Sequence, residues 1–413
     1  MIKHKKIILG LIVSFIIIVS LVVFDVGTNA YVLQNKKSSI KNNNMMSILL
    51  ETKVGSGEYS SSSDNSWPMS GYEFNSELSK CVNGGMLTWD STNNKVMFDG
   101  EASDKCYVYF NKINTLSEYI KGLYTGTQGE NNLYLHDSTL PNGAGDNSYR
   151  FAGSSDTTNN FVCFGYDSTD GTCPTDYLYR IIGVFDDQVK LIKYDYAKAS
   201  LLGTNGDYSN TYSRVGYGGT NKGSNTTIEI GVYYWNKNSG TANNTWSNSL
   251  FNKTNLNTNY LNNMGSNWSN KIATHTWKVG GTTCANLRDA IVTTAYQNEI
   301  TNPATNTTYD AKVGLMYVSD YGYAAAPSVW STTLVNYDSS SVTSVNWMYM
   351  GLVEWAMAPI SNDSTLAFFV SYAGSVNCFT VDSNFAGRPV FNLIDSVEYN
   401  GGMGTKSDPI RIK

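Results

Sequence analysis

LYRIIGVF, Leu178 to Phe185, is the stretch on which the fold turns. Its apolar residues do not alternate with polar ones, so both faces of a strand built from it must be covered. That is the pattern of a central strand. Asp186-Asp187-Gln188 follows as a turn, and Val189 to Tyr194 returns as the hairpin partner. Ser148 to Phe151 and Asn160 to Phe164 are further short strands upstream. Downstream, Lys312 to Ser319, Asn346 to Tyr349, Leu366 to Tyr372, Val376 to Val381 and Pro389 to Leu393 read as strands, with Ala373-Gly374-Ser375 as a hairpin turn. Trp246 to Met264, with Trp246, Leu250, Leu256 and Leu261 facing inward, and Leu287 to Tyr296 are predicted helical. The fold class is therefore α+β and β-rich, with a main domain at 148–395 and a tail at 396–413. Residues 203–245 form a long polar insertion broken by Ile228 to Trp235. Loops of that length inside a domain are usually functional or disordered.

Working toward the N-terminus, 112–147 reads as a helix and a turn-rich connector. Thr115-Leu-Ser-Glu118 matches a capping box, which starts a helix running to about Tyr124. Residues 69–111 carry strand chemistry: MLTWDSTNNKVMF, Met86 to Phe98, alternates on either side of Asp90 to Asn94, and Cys106 to Phe110 is another β run. Residues 31–68 are polar and low in complexity around the apolar segment Met45 to Leu50, and read as a flexible stalk. Ahead of them lies IILGLIVSFIIIVSLVVF, Ile7 to Phe24, preceded by Lys3, His4, Lys5 and Lys6. As a helix it spans roughly 27 Å, enough to cross a bilayer. Residues 1–30 are expected to form a cytoplasmic stub and a transmembrane signal anchor, with everything after it outside. A signal peptide cut near Thr28-Asn29-Ala30 shares these features, and both readings place 31–413 in an extracellular setting. A type IV pilin-like leader ending at Gly10 would call for Glu at the position held by Phe15.

Charged residues are 15% of the 413, so the surface is expected to consist of Asn, Ser, Thr, Gly and Tyr. A net charge of -5, with no basic cluster beyond the membrane flank and Lys36, Lys37 and Lys41, argues against a nucleic-acid partner. Six cysteines on the oxidising side of a membrane imply disulfides. Cys81 with Cys106 flanks the predicted hairpin, and Cys163 with Cys173 flanks a polar loop, leaving Cys284 and Cys378 as the remainder. No CxxC pair is present, and the residue types call for neither metal nor cofactor. Asp167 and Asp170 lack the acidic spacing of a calcium loop.

The ordered segments LYRIIGVF, AKVGLMYVSDYGYAA, VEWAMAP, AFFVSYAGSVNCFTVDSNFAGRPVFNL and GGMGTKSDPIRI resemble an uncharacterised family of membrane-anchored surface proteins of low-GC Gram-positive bacteria. The C-terminal module is, more distantly, similar to the C-type-lectin-like fold shared with formylglycine-generating enzymes, chiefly through Trp347 to Pro359, the following hairpin and GRPVF. The resemblance implies that fold and display at the cell membrane through a single span. It does not carry the chemistry. The EPN, QPD and WND motifs of calcium-dependent sugar binding are missing from the sequence, and Cys284 and Cys378 do not match the reactive pair of the enzymes. Arg388 in GRPVF is expected to be a structural arginine.

No HExxH, GxSxG or P-loop is present, His136 and His275 read as solvated loop residues, and Asp186 and Asp187 sit where a turn wants Asp. The sequence thus leans away from an enzyme. A displayed binding or adhesion module for a glycan, peptide or cell-surface partner fits better, with contact loops at 203–245 and 319–365. Tyr208, Tyr212, Tyr217, Tyr321, Tyr323, Trp330 and Trp347 are the candidate ligand contacts there. A pilin-like assembly subunit and an extracellular carbohydrate-active enzyme are the alternatives.

Overall fold

A computed structural model describes residues 46–413 apart from 64–65, 69–70, 91–92, 94, 168–171, 216–226 and 238–242. The expected anchor, Ile7 to Phe24, lies outside the described residues, as do Tyr217 and Asp170. No helix among the described residues is long and apolar enough to cross a membrane. The fold is α+β and β-rich, with 34% strand and 21% helix. The chain divides into two compact units, one through Asn114 and one from Thr115.

In the first unit, Met46–Glu51 pairs in parallel with Cys106–Lys112, which pairs antiparallel with Tyr72–Cys81. Met46–Glu51 and Tyr59–Ser61 fall within the stretch read as a flexible stalk, yet both are strands of this sheet. The apolar face of MSILLE, with Met46 and Ile48 buried, supplies the stability that a polar repeat lacks. Cys106, Val108 and Phe110 alternate inward from the central strand, and Phe74 and Trp89 pack around Phe110. The hairpin of Met86–Asp90 and Lys95–Asp99 forms as the sequence predicts. Cys81 and Cys106 are disulfide-bonded across directly paired strand positions. Their sulfurs lie close to the Asp104 carboxylate, but being bonded to each other they make no metal site.

In the second unit, Leu178–Phe185 is central and buried along seven of its eight residues. Gln188–Lys193 pairs on one side, and Tyr149–Phe151 and Phe161–Cys163 on the other. The connecting turn is Asp186-Asp187 with φ of 46° and 67°, a left-handed pair that Asp tolerates and that matches the strand twist. Val390–Asn392 and Val313–Gly314 extend the sheet beyond Gln188–Lys193. A six-stranded sheet runs in the order Tyr208–Val215, Thr227–Tyr234, Asn384–Ala386, Glu354–Pro359, Leu366–Val370, Val376–Thr380. Its first two strands come from the segment read as a polar insertion.

Three other expectations change. Lys312 to Ser319 is a strand only at Val313–Gly314. Beyond it Tyr317 N–H donates to Asp320 Oδ2 at 3.0 Å, which starts the helix Val318–Tyr323 instead. Asn346 to Tyr349 is a turn, held by a single bridge from Asn346 to Ala325. Phe251–Tyr260 is a π-helix, so the buried positions Phe251, Asn255, Leu256 and Tyr260 recur at four and five residues. Leu250, predicted inward, is 37% exposed. The capping box at Thr115 is present, with Thr115 Oγ1 accepting from Glu118 N at 3.2 Å ahead of Leu116–Gly122.

Candidate functional site

Six separate segments of the second unit meet around a cavity of about 290 Å³. Tyr149–Phe151 brings Arg150, and the turn before it brings Asp146 and Ser148. Phe185 and Asp186 come from the central hairpin, Lys190 from its return strand, and Asn392 from Val390–Asn392. His275, Thr276 and Lys278 lie on His275–Lys278, Tyr296 and Ile300 on neighbouring helical turns, and Tyr317, Ser319 and Asp320 at the start of Val318–Tyr323.

Four of its charges are closed into two pairs. Asp146 Oδ2 accepts from Arg150 Nη2 at 2.5 Å and from the Tyr296 hydroxyl at 2.9 Å, while Oδ1 accepts from Ser148 N and Oγ. Burial works to raise the Asp146 carboxyl, but Arg150 and the Ser148 hydrogen bonds overcome it and hold it at about 2. The Arg150 guanidinium also lies 4.7 Å from the Phe185 ring centre and 5.0 Å from that of Tyr323. Lys190 Nζ donates to Asp320 Oδ2 at 2.5 Å, with both side chains almost wholly buried. Burial lowers the Lys190 ammonium, and Asp320 opposes that.

The histidines are not solvated. His136 is fully buried; its Nδ1 accepts from Ala144 N–H at 3.1 Å, which puts the proton on Nε2, and that atom has no partner. Burial and then Arg150 hold it well below the ordinary histidine range, and the Tyr323 ring stands perpendicular to it at 4.7 Å. His275 is half-buried in a strand, and burial followed by Lys190 lowers it to about 4. His136 is covered by the rings of Tyr323 and Trp330, which arrive from far along the chain, and no local signal marks this.

Behind the pocket, Glu299 caps the same helix as Asp320. Its carboxylate accepts from Val318 N, Ser319 N and Ser319 Oγ, each at 2.9 Å. Burial raises it from 4.5 to about 7. The native state therefore holds a proton that the unfolded chain releases first, and this contribution to stability is full below about 4.5 and lost as pH rises to about 7. Asp146 acts in a separate window: its contribution is present above 3.8 and lost as pH falls through about 2. Urea-denaturation midpoints should therefore decline as pH rises across the Glu299 window, and Glu299→Gln should flatten that decline. A slope unchanged in the variant would remove Glu299 as its cause.

The candidate contacts do not gather at one surface. Tyr321, Tyr323, Trp330 and Trp347 are at most 1% exposed and do not line the 290 Å³ cavity, so they pack as core. Trp347 Nε1 donates to Phe151 O at 2.8 Å and Trp330 Nε1 to Ala325 O at 2.8 Å, each an indole satisfied inside the core. Tyr208 is half-buried, and Tyr212, 41% exposed, borders an apolar groove with Tyr372 and Phe385. Arg388 has the expected structural role, with Nε and Nη2 bound to the two Glu354 carboxylate oxygens at 2.7 Å. A larger hollow of about 470 Å³, walled by Tyr166, Trp268, Lys271 and Arg411, is more polar than the 290 Å³ cavity and holds none of the unpartnered buried atoms. In the 290 Å³ cavity, Asn392 is 2% exposed and its Nδ2 has no partner.

The second unit is thus an α+β frame of a seven-stranded, a six-stranded and a two-stranded sheet, and strands of the first and last of these line a small pocket of charges and aromatic rings. Compared with family models, curated proteins and solved structures, the chain matches none.

Proposed function

We propose that this chain is a membrane-tethered extracellular surface protein and a non-catalytic binding module, and that its ligand is a sugar unit of a glycan seated in the Arg150–Lys190–Asn392 pocket. The reading keeps the resemblance to anchored surface proteins and the lectin-like frame as parts of the proposal. The observation that carries it is the chemistry of the lining. Three cations (Arg150, Lys190, Lys278) stand against three carboxylates (Asp146, Asp186, Asp320), summing to no net charge, and His275 is neutral above about 4. Such a lining gives little attraction to a polyanion. It offers instead rings at Phe185, Tyr296 and Tyr317 together with the unpartnered Asn392 amide, the mixture of apolar wall and few directional polar groups that seats a small polar ligand. Catalysis is less well served. Asp146 is tied to Arg150, Tyr296 and Ser148, and Asp320 to Lys190 and Tyr317 N, so neither stands ready as an acid for a leaving group.

The full chain in detergent micelles, applied to a glycan array, should retain a defined set of sugars. Asn392→Asp, which turns the free donor into an acceptor, should then weaken binding of the best of these at least about tenfold by titration calorimetry. Equal affinity of the two proteins would remove the pocket as the site. Cleavage of the glycan on incubation would favour the carbohydrate-active enzyme.

A further inference from the structure

The ion pair at the side of this pocket has the makings of a covalent link. Lys190 lies on Gln188–Lys193 and Asp320 in Val318–Tyr323, so 130 residues of chain separate two groups held 2.5 Å apart. Their side chains are 6% and 3% exposed. Where an ammonium would ordinarily meet water, Nζ meets rings: Tyr317 at 4.6 Å, Phe185 at 5.4 Å and Trp277 at 5.8 Å to their centres. Holding two opposite charges out of water is costly, and their attraction returns only part of that cost. Moving one proton from Nζ to the carboxylate removes both charges at once and leaves a free amine beside a carboxylic acid. Burial lowers the Lys190 ammonium, which is the direction that frees its lone pair. The Tyr317 N–H, 3.0 Å from Oδ2, is placed to draw electron density from the carboxyl group.

We propose that Lys190 and Asp320 become joined by an intramolecular amide bond. Nζ forms a bond to Cγ of the protonated Asp320, and the oxygen that gathers charge is held by the Tyr317 N–H. The second Nζ proton passes to the departing hydroxyl, the Cγ–O bond breaks, and one water leaves into the adjacent pocket. Ammonium plus carboxylate becomes amide plus water, with no change of oxidation state and no further reactant. In dilute solution water opposes this condensation. Here the fold holds the reactants together, and well-oriented intramolecular groups reach effective concentrations of about 10⁵–10⁸ M. The product carries no charge, so the pocket keeps its overall neutrality and the inference goes beyond the sugar-binding reading without depending on it.

Peptide mapping of the full chain tests this directly. The folded protein is reduced, alkylated, digested and analysed by mass spectrometry. The expected result is a branched species in which the Lys190 peptide and the Asp320 peptide are joined, lighter than their sum by one water and resistant to tryptic cleavage after Lys190. Lys190→Arg should abolish it. Asp320→Asn, if it yields the same linked mass by losing ammonia in place of water, would support the same geometry. Recovery of Lys190 and Asp320 from the folded wild-type chain in separate, unmodified peptides would overturn the proposal.

Discussion

Arg388→Ala should destabilise the second unit by about 3–5 kcal/mol, because it strands a carboxylate in the core. Glu354 and Arg388 side chains are each 2% exposed, and two parallel N–H···O bonds at 2.7 Å join them. Arg388 Nη2 also donates to Met348 O at 2.9 Å, so the one guanidinium ties Glu354–Pro359 to the turn before it. Burial already pushes the Glu354 carboxyl upward and Arg388 alone opposes this. Without its partner Glu354 must take up a proton or open the core to water. Glu354→Ala should be comparably costly from the opposite side. The double change Arg388→Met with Glu354→Leu should recover most of the loss, since apolar replacement of a buried pair is often neutral or better. Urea unfolding of the three variants at neutral pH distinguishes these cases. A single-variant loss below about 1 kcal/mol, typical of an exposed ion pair, would mean that water reaches this site.

Removing the Cys284–Cys378 disulfide should be the costliest of the three cysteine deletions. It closes 94 residues, against 25 for Cys81–Cys106 and 10 for Cys163–Cys173. In the chain-entropy model the longest loop contributes roughly 4–5 kcal/mol, and the shorter ones roughly 3 kcal/mol each. It also fastens the helix Cys284–Arg288 to Val376–Thr380, the last strand of the six-stranded sheet. Paired Cys→Ala variants compared by denaturant midpoint should therefore rank by loop length within the second unit. If the long-loop variant lost no more than the variant lacking Cys163–Cys173, the unfolded chain would already be holding these segments together. All described cysteines are paired.

LYRIIGVF announced a central strand because a segment apolar on both faces has no solvent side. Asp186-Asp187 announced its turn because few residues accept left-handed backbone. Thr115 and Glu118 announced a helix start within four residues, and the two short disulfide loops were visible as spacing. Those are local constraints. The asparagines went the other way. They were read as surface, yet Asn160, Asn236, Asn252, Asn255, Asn346 and Asn392 are at most 2% exposed. Several are backbone braces. Asn255 Nδ2 donates to Leu202 O and Asn205 O, and Asn160 Nδ2 donates to Ile181 O. An amide side chain can satisfy carbonyls from distant segments, so its composition signal is the same inside and out.

By itself the sequence determined the fold class, the central hairpin, the capped helix and the local disulfides, because each depends on side chains within a few residues of one another. Only the tertiary structure decided that Tyr321, Tyr323, Trp330 and Trp347 are core, that His136 is dry, and that residues from Asp146 to Asn392 share one pocket. Burial and charge pairing are set by whichever segment arrives from far along the chain, as Lys190 meets Asp320 across 130 positions, and no window of sequence contains both partners.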